Sequence, residues 1–166
     1  MTANVFADIL VELERRNLKL AIAESLTGGQ VSSNFVAVEG ASRVLLGAVV
    51  AYQDAIKERM LDVAANLLAA RGAVSAEVAI AMSAGAREHF AHAANLPIEQ
   101  VVAISTTGVA GPDAQGSIAA GTVFVALHAP QVEPKATEFH FEGDRSRVRE
   151  QAAQAIANLL WDYLRP

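Results

Sequence analysis

Leu18-Lys19-Leu20-Ala21-Ile22-Ala23-Glu24-Ser25-Leu26-Thr27-Gly28-Gly29 is the stretch on which the fold turns. The apolar run from Leu18 to Ala23, flanked by turn-formers, reads as a buried strand. Thr27, Gly28 and Gly29 then open a segment with Val31, Phe35 and Val38 on one side, a spacing that predicts a helix over 28–38. Ser25 therefore stands at a strand-to-helix turn, at the carboxyl edge of an α/β sheet, where ligands bind. A hydroxyl there faces the N–H groups of a helix start, which can hold a developing negative charge. The plain alternative is that Thr27 caps the helix and Ser25 fills a turn.

Working outward, Val5, Phe6, Ile9, Leu10 and Leu13 recur at helical spacing and predict a first helix over about 3–17, with Asn17 as its stop. Downstream, the near-continuous apolar run Val44 to Tyr52 predicts a strand buried on both faces. Asp54 is placed to cap a helix carrying Ile56, Met60 and Val63, and a further helical piece stops at Gly72. Ser75 caps a long helix with the stripe Val78, Met82, Ala86 and Phe90. After Pro97 comes a strand over 101–105, then a loop of glycine and small residues over 106–120. Segments 121–128 and 135–141 alternate as two neighbouring antiparallel strands. Gly143-Asp144 starts a last helix with Val148, Ala152, Ala155, Leu159 and Tyr163 inward. The expectation is a three-layer α/β/α single domain over 1–166, with a mixed, mainly parallel sheet.

Composition narrows the function classes. At 166 residues, 52% hydrophobic and 19% charged, the chain can bury a large core and is not disordered. Its 5% aromatic content and abundant alanine suit tight helix-on-sheet packing. A net charge of −5 argues against a duplex nucleic-acid binder. The absence of cysteine removes disulfides, thiolate nucleophiles and cysteine-held metals. No apolar stretch is long enough to span a bilayer, and the amphipathic, mixed-charge start is not a signal peptide. A cytoplasmic protein is expected, with no nucleic-acid or membrane partner.

Three further constellations carry possible chemistry. In Tyr52-Gln53-Asp54-Ala55-Ile56-Lys57 the lysine falls in the first turn of a helix. A cation there opposes the macrodipole at a cost of about 0.3–1 kcal/mol, and the same field favours the neutral amine that a base must be. The alternative is a solvated lysine on an ordinary helix. Ser105-Thr106-Thr107-Gly108-Val109-Ala110-Gly111-Pro112 follows a strand, and its glycines let the backbone approach an anion closely. It is not a P-loop, for it lacks Gly-Lys-Ser/Thr. Gly143-Asp144-Arg145-Ser146-Arg147-Val148-Arg149 crowds three arginines at a helix start. Arg145 and Arg149 share a face, and an anionic ligand would offset their unfavourable placement, as would pairing with surface carboxylates. His89 and His92 have metal-ligand spacing but no third ligand, so they read as surface residues and no metal is expected.

Taken together these motifs resemble the carboxy-terminal domain of the CinA competence/damage-inducible family, whose stand-alone members are nicotinamide-nucleotide amidases. That family's Glu-Ser-Cys-Thr-Gly-Gly matches Glu24 to Gly29, and its Tyr-Ser-Asn-x-x-Lys matches Tyr52 to Lys57. Its Gly-Ala-Val-Ser matches Gly72 to Ser75, and its Thr-Gly-Ile-Ala-Gly-Pro matches Thr107 to Pro112. Gly-Thr-Val and Gly-Asp-Arg match Gly121 to Val123 and Gly143 to Arg145, in the same order.

The resemblance implies hydrolysis of the carboxamide of nicotinamide mononucleotide to nicotinic acid mononucleotide and ammonia, without metal or cofactor. It implies Ser25 as nucleophile, Lys57 as its base and Tyr52 as a relaying or orienting group. Oxyanion and substrate contacts are expected from Thr27, Gly28 and Gly29, or from Thr107, Gly108, Ala110 and Gly111, and a phosphate contact from Arg145. Family habit and apolar helix faces imply a homodimer. Three departures stand out: Leu26 replaces the cysteine, Asp54 brings a negative charge beside the lysine, and 113–116 lack the usual paired glycine. The competing expectations are a nucleotide-binding module without chemistry and an amidase for another substrate.

Overall fold

The computed structural model describes residues 4–165, so the expected helix start at residue 3 lies outside the described residues. Five strands form one sheet: β1 (Lys19–Glu24), β2 (Leu45–Val50), β3 (Val101–Gly108), β4 (Thr122–His128) and β5 (Lys135–His140), in the order β2-β1-β3-β4-β5. β1 runs parallel to β2 and β3, whereas β3–β4 and β4–β5 pair antiparallel. Only β4 therefore runs against the other four. The helices are α1 (Val5–Arg15), α2 (Gln30–Val36), α3 (Asp54–Leu61), α4 (Ala65–Arg71), α5 (Ala76–Ala93) and α6 (Arg145–Leu164). The three-layer α/β/α architecture is as expected.

The period-2 alternation of the strands sorts residues between two cores. Leu20, Ile22, Val102, Ile104, Val123, Val125 and Leu127 face one way, under α1, α2 and α6. Ala21, Ala23, Val101 and Ala103 face the other, under α3 and α5. The alanines on that second face leave room for α5 to lie close to the sheet. The approach is closer still between helices: a Cβ added at Gly85 of α5 would fall 1.8 Å from the Leu61 carbonyl oxygen of α3.

Two caps are as expected from the sequence, at Ser75 and Asp144, and a third, at Asn4, was not anticipated. The Ser75 hydroxyl accepts from Val78 N–H, the Asp144 carboxylate accepts from Arg147 N–H, and Asn4 accepts from Phe6 N–H. Asn17, at φ 55°, turns the chain out of α1.

Four expectations are corrected. The strand over 44–52 is not buried on both faces: β2 is an edge strand with one neighbour, and Val50 is exposed. β3 runs three residues past the expected strand end, because Thr106, Thr107 and Gly108 pair with Val125, Phe124 and Val123 of β4. In α3 the inward residues are Lys57 and Leu61, whereas Ile56 and Met60 are exposed. Leu61 packs on the α5 glycine, and the residue one turn before it necessarily shares its face. Finally, Thr27 does not cap α2, whose first turn is capped by another side chain.

Candidate functional site

That side chain is Glu24, the last residue of β1. It is fully buried, and its carboxylate accepts from Gly29 N–H (2.9 Å), Val31 N–H (3.1 Å) and Ser32 N–H (2.8 Å). An anion already occupies the α2 N-terminus, so this helix start cannot receive another from a ligand. Thr27 instead turns inward and shares a 2.7 Å hydrogen bond with the Thr106 hydroxyl, tying the turn to β3. Ser25 N–H donates to Thr106 O at 3.0 Å, a second tie between the same segments.

Beside this turn, at the carboxyl ends of β1 and β3, lies a cavity of about 390 Å³, within the size range of small-molecule sites. Ser25 lines it from the β1 turn, Tyr52 and Lys57 from the β2–α3 junction, and Arg145 from the start of α6. Thr107, Gly108, Ala110 and Gly111 line it from the end of β3 and the loop beyond. Thr27, Gly28 and Gly29 are not among the lining residues. Gly28 N–H is spent on Ser25 O at 3.1 Å, and Gly29 N–H on Glu24.

Lys57 is only 1% exposed, which removes the solvated-lysine alternative. Its Nζ donates to Tyr52 O and to Asp54 Oδ1, each at 3.3 Å. Among the described residues no hydrogen bond joins Lys57 Nζ to Ser25 Oγ, although both residues line the cavity. Arg145 spans the mouth, donating to Tyr52 Oη at 2.6 Å and to Gly111 O at 3.0 Å. Arg149 does not join it at the cavity. Its guanidinium donates to Leu26 O (3.1 Å) and Thr27 O (2.7 Å). Thr107 Oγ1 donates to Ala73 O at 2.7 Å and fixes the segment before α5 against β3.

Sequence reasoning missed several lining residues. Gln53, Ala73 and Val74 fall inside motifs already singled out, and that membership was their only signal. Asp113 and Gln115 lie in the departing loop, where no pattern places a side chain. Asp54 and Asp113 join Arg145 in the lining, which carries both signs of charge.

His89 is half exposed and pairs with Asp62 at 2.7 Å. No cluster of three His, Asp or Glu side chains among the described residues is placed to hold a metal ion. No helix among them is long and apolar enough to cross a membrane.

Comparison with known proteins bears on the family and the fold. The CinA-like protein of Geobacter sp. (strain M21) is 44% identical over 154 residues, which is 92% of this chain and 35% of that protein. Across such relatives the chain spans about a third of their length, 35% to 40% in the first three. Among solved structures, a competence-damaged protein (CinA) superfamily protein from Escherichia coli is 30% identical, with a TM-score of 0.85 over 96% of this chain and 88% of that one. A superfamily protein from Enterobacter cloacae is 29% identical, with a TM-score of 0.87 over 99% and 94%. The CinA C-terminal domain model matches residues 3–164, and the chain belongs to that family.

Proposed function

We propose that the chain is an amidohydrolase that removes the carboxamide nitrogen of nicotinamide mononucleotide, with Ser25 as nucleophile and Lys57 as base. The observation that carries this reading is the convergence of Ser25 and Lys57, from segments on either side of β2, on one cavity. An amide is a weak electrophile, so a serine attacking it needs a base and donors for the oxyanion. In the proposed cycle Ser25 Oγ bonds to the amide carbon and its proton passes to the uncharged Lys57 amine. The C–N bond then breaks, Lys57 returns the proton to the departing ammonia, and water hydrolyses the ester on Ser25.

The lining of both signs supports a zwitterionic substrate, one with a cationic ring and an anionic phosphate. Arg145 is the proposed phosphate contact, exchanging Tyr52 Oη or Gly111 O for a phosphate oxygen. The exposure of Val50 (45%), Ile56 (39%) and Met60 (51%) supports a homodimer, for which light scattering would report twice the chain mass.

The test is ammonia release from nicotinamide mononucleotide by the wild type, Ser25→Ala and Lys57→Ala. Loss of at least about 1,000-fold in each variant is expected, and equal rates in all three reject the reading. That Lys57 Nζ hydrogen-bonds to Tyr52 O and Asp54 Oδ1 and not to Ser25 Oγ favours one competing reading, a nucleotide-binding module. Nucleotide-dependent thermal stabilisation without turnover would establish that one instead.

A further inference from the structure

Ser25 enters its turn from a rigid sheet and leaves it through a flexible segment. The peptide unit before it is held from two sides: Glu24 O accepts from Ala51 N–H, just past β2, at 2.8 Å, and Ser25 N–H donates to Thr106 O of β3 at 3.0 Å. On the exit side, Ser25 O accepts from Gly28 N–H at 3.1 Å, so the backbone there depends on the shape of the turn. Thr106 and Arg149 hold the middle of that turn, at Leu26 and Thr27, and neither reaches beyond Thr27. Gly28 and Gly29 follow at φ 58° and 95°. Successive glycines have the most backbone alternatives to lose, so this end of the turn has little stiffness of its own.

The Glu24 side chain supplies the stiffness. Its carboxylate crosses residues 25–28: Oε2 accepts from Gly29 and Val31 N–H, and Oε1 from Ser32 N–H. Side chain and main chain together close a ring that contains Ser25, and Glu24 is fully buried. A Ser, Thr, Asn or Asp at the cap position, here Gly29, would serve a helix start locally. A cap of that kind would leave the helix free to shift against β1. The cap comes instead from the residue bonded to Ser25, which fixes the strand end and the helix start relative to each other with Ser25 between them.

We propose that Glu24 is the positioning residue for Ser25, holding the nucleophile in its working place before a substrate arrives. This rests on the amidase reading and goes beyond it, by naming the group that preorganises the serine. Glu24 is not among the lining residues of the cavity and acts only through Ser25. A reacting group displaced by about 1 Å loses about 100-fold in rate. The loss falls on kcat rather than on KM, because other lining residues hold the substrate.

The experiment compares wild type, Glu24→Gln, Glu24→Asp and Leu13→Ala. Gln keeps the length and loses one acceptor oxygen, whereas Asp keeps the charge and is one methylene shorter. Leu13 is a fully buried residue of α1 whose carbonyl accepts from Leu18 N–H, at the end of β1 away from the cavity. Its truncation gives a destabilised chain with the turn intact. Each protein is assayed below its own melting midpoint. Two readouts are taken: steady-state hydrolysis of nicotinamide mononucleotide, and the rate at which a fluorophosphonate probe labels Ser25. In labelling, Oγ bonds to phosphorus, the P–F bond breaks, fluoride leaves and the hydroxyl proton passes to Lys57. The probe needs a well-placed serine but not the nucleotide. In Glu24→Gln, kcat is expected to fall about 10- to 100-fold, with KM changed less than about threefold. Labelling is expected to slow in parallel, and Glu24→Asp to show the same split. Leu13→Ala is expected to melt earlier with kcat and labelling within about twofold of wild type. If Glu24→Gln does not fold, Glu24→Asp decides by the same measure. Wild-type kcat and labelling in the folded variant overturn the proposal and leave the amidase reading standing. So do a rise in KM alone, an equal loss in Leu13→Ala, and failure of both Glu24 variants to fold, which assigns the side chain to folding. A wild type that labels without hydrolysing the nucleotide, while the Glu24 variant labels more slowly, rejects the substrate and keeps the proposal. A wild type that does neither overturns both.

Discussion

Glu24 shows how much of this site rests on one side chain. Three N–H groups at the start of α2 have its carboxylate as acceptor, and Glu24 itself is fully buried. Glu24→Ala is expected to cost at least about 2 kcal/mol of unfolding free energy in urea titrations, because hydrogen bonds to a buried charge are among the stronger ones. Glu24→Gln, which keeps one acceptor oxygen, is expected to lose less. None of this was legible beforehand: a carboxylate at a strand end reads as solvent-facing, and nothing local announces that the next helix lacks a capping side chain. Ser25 and Lys57 were legible, since an apolar run followed by a Ser/Gly turn, and a lysine at a helix start, each have a local physical meaning. Burial of Lys57 was not, because it depends on which face of α3 meets α5.

That face is decided at the level of elements. The apolar spacing of Ile56 and Met60 pointed inward, yet the Gly85–Leu61 contact turns them out and Lys57 in. Periodicity counts apolar residues on one helix and carries no information about a glycine more than twenty positions away. Gly85→Ala is therefore expected to push α3 off α5, costing about 1–3 kcal/mol as an overpacked contact. It should also lower activity, since Lys57 rides on the displaced helix; thermal melts and ammonia release report the two effects. The end of β4 carries a pH-dependent term. Burial, and then the nearby Arg87 charge, holds His128 below the usual histidine value of 6.5, against weaker opposing fields from Glu88 and Glu133. The unfolded chain then takes up a proton that the folded chain refuses. Stability from this group is complete above pH 6.5 and declines as the pH falls below it, until the folded-state value is passed. His128→Leu is expected to flatten that limb of a stability–pH profile measured by urea titration.

Across the whole molecule, the sheet order β2-β1-β3 sets the ends of β1 and β3 side by side, with the β2–α3 junction next to them. One cavity can then draw on segments from five parts of the sequence. The alternation of parallel and antiparallel strands was readable from the motif order and the late pair of alternating segments. The extent of β3 was not, because small polar residues over 106–108 look like loop until β4 pairs with them. Saturating nicotinamide mononucleotide is expected to raise the melting temperature, by about 2.7 kcal/mol of linkage at a hundred times Kd. The riboside, lacking the phosphate, should give less, and Arg145→Ala should erase that difference.

The claim on which this account rests is that Ser25 and Lys57 act as one unit, and a double-variant cycle measures that directly. Ammonia release by Ser25→Ala/Lys57→Ala should match the slower single variant within about twofold, because groups sharing one step cannot be lost twice. Losses that multiply would mean that the two residues work independently, and the account would be contradicted.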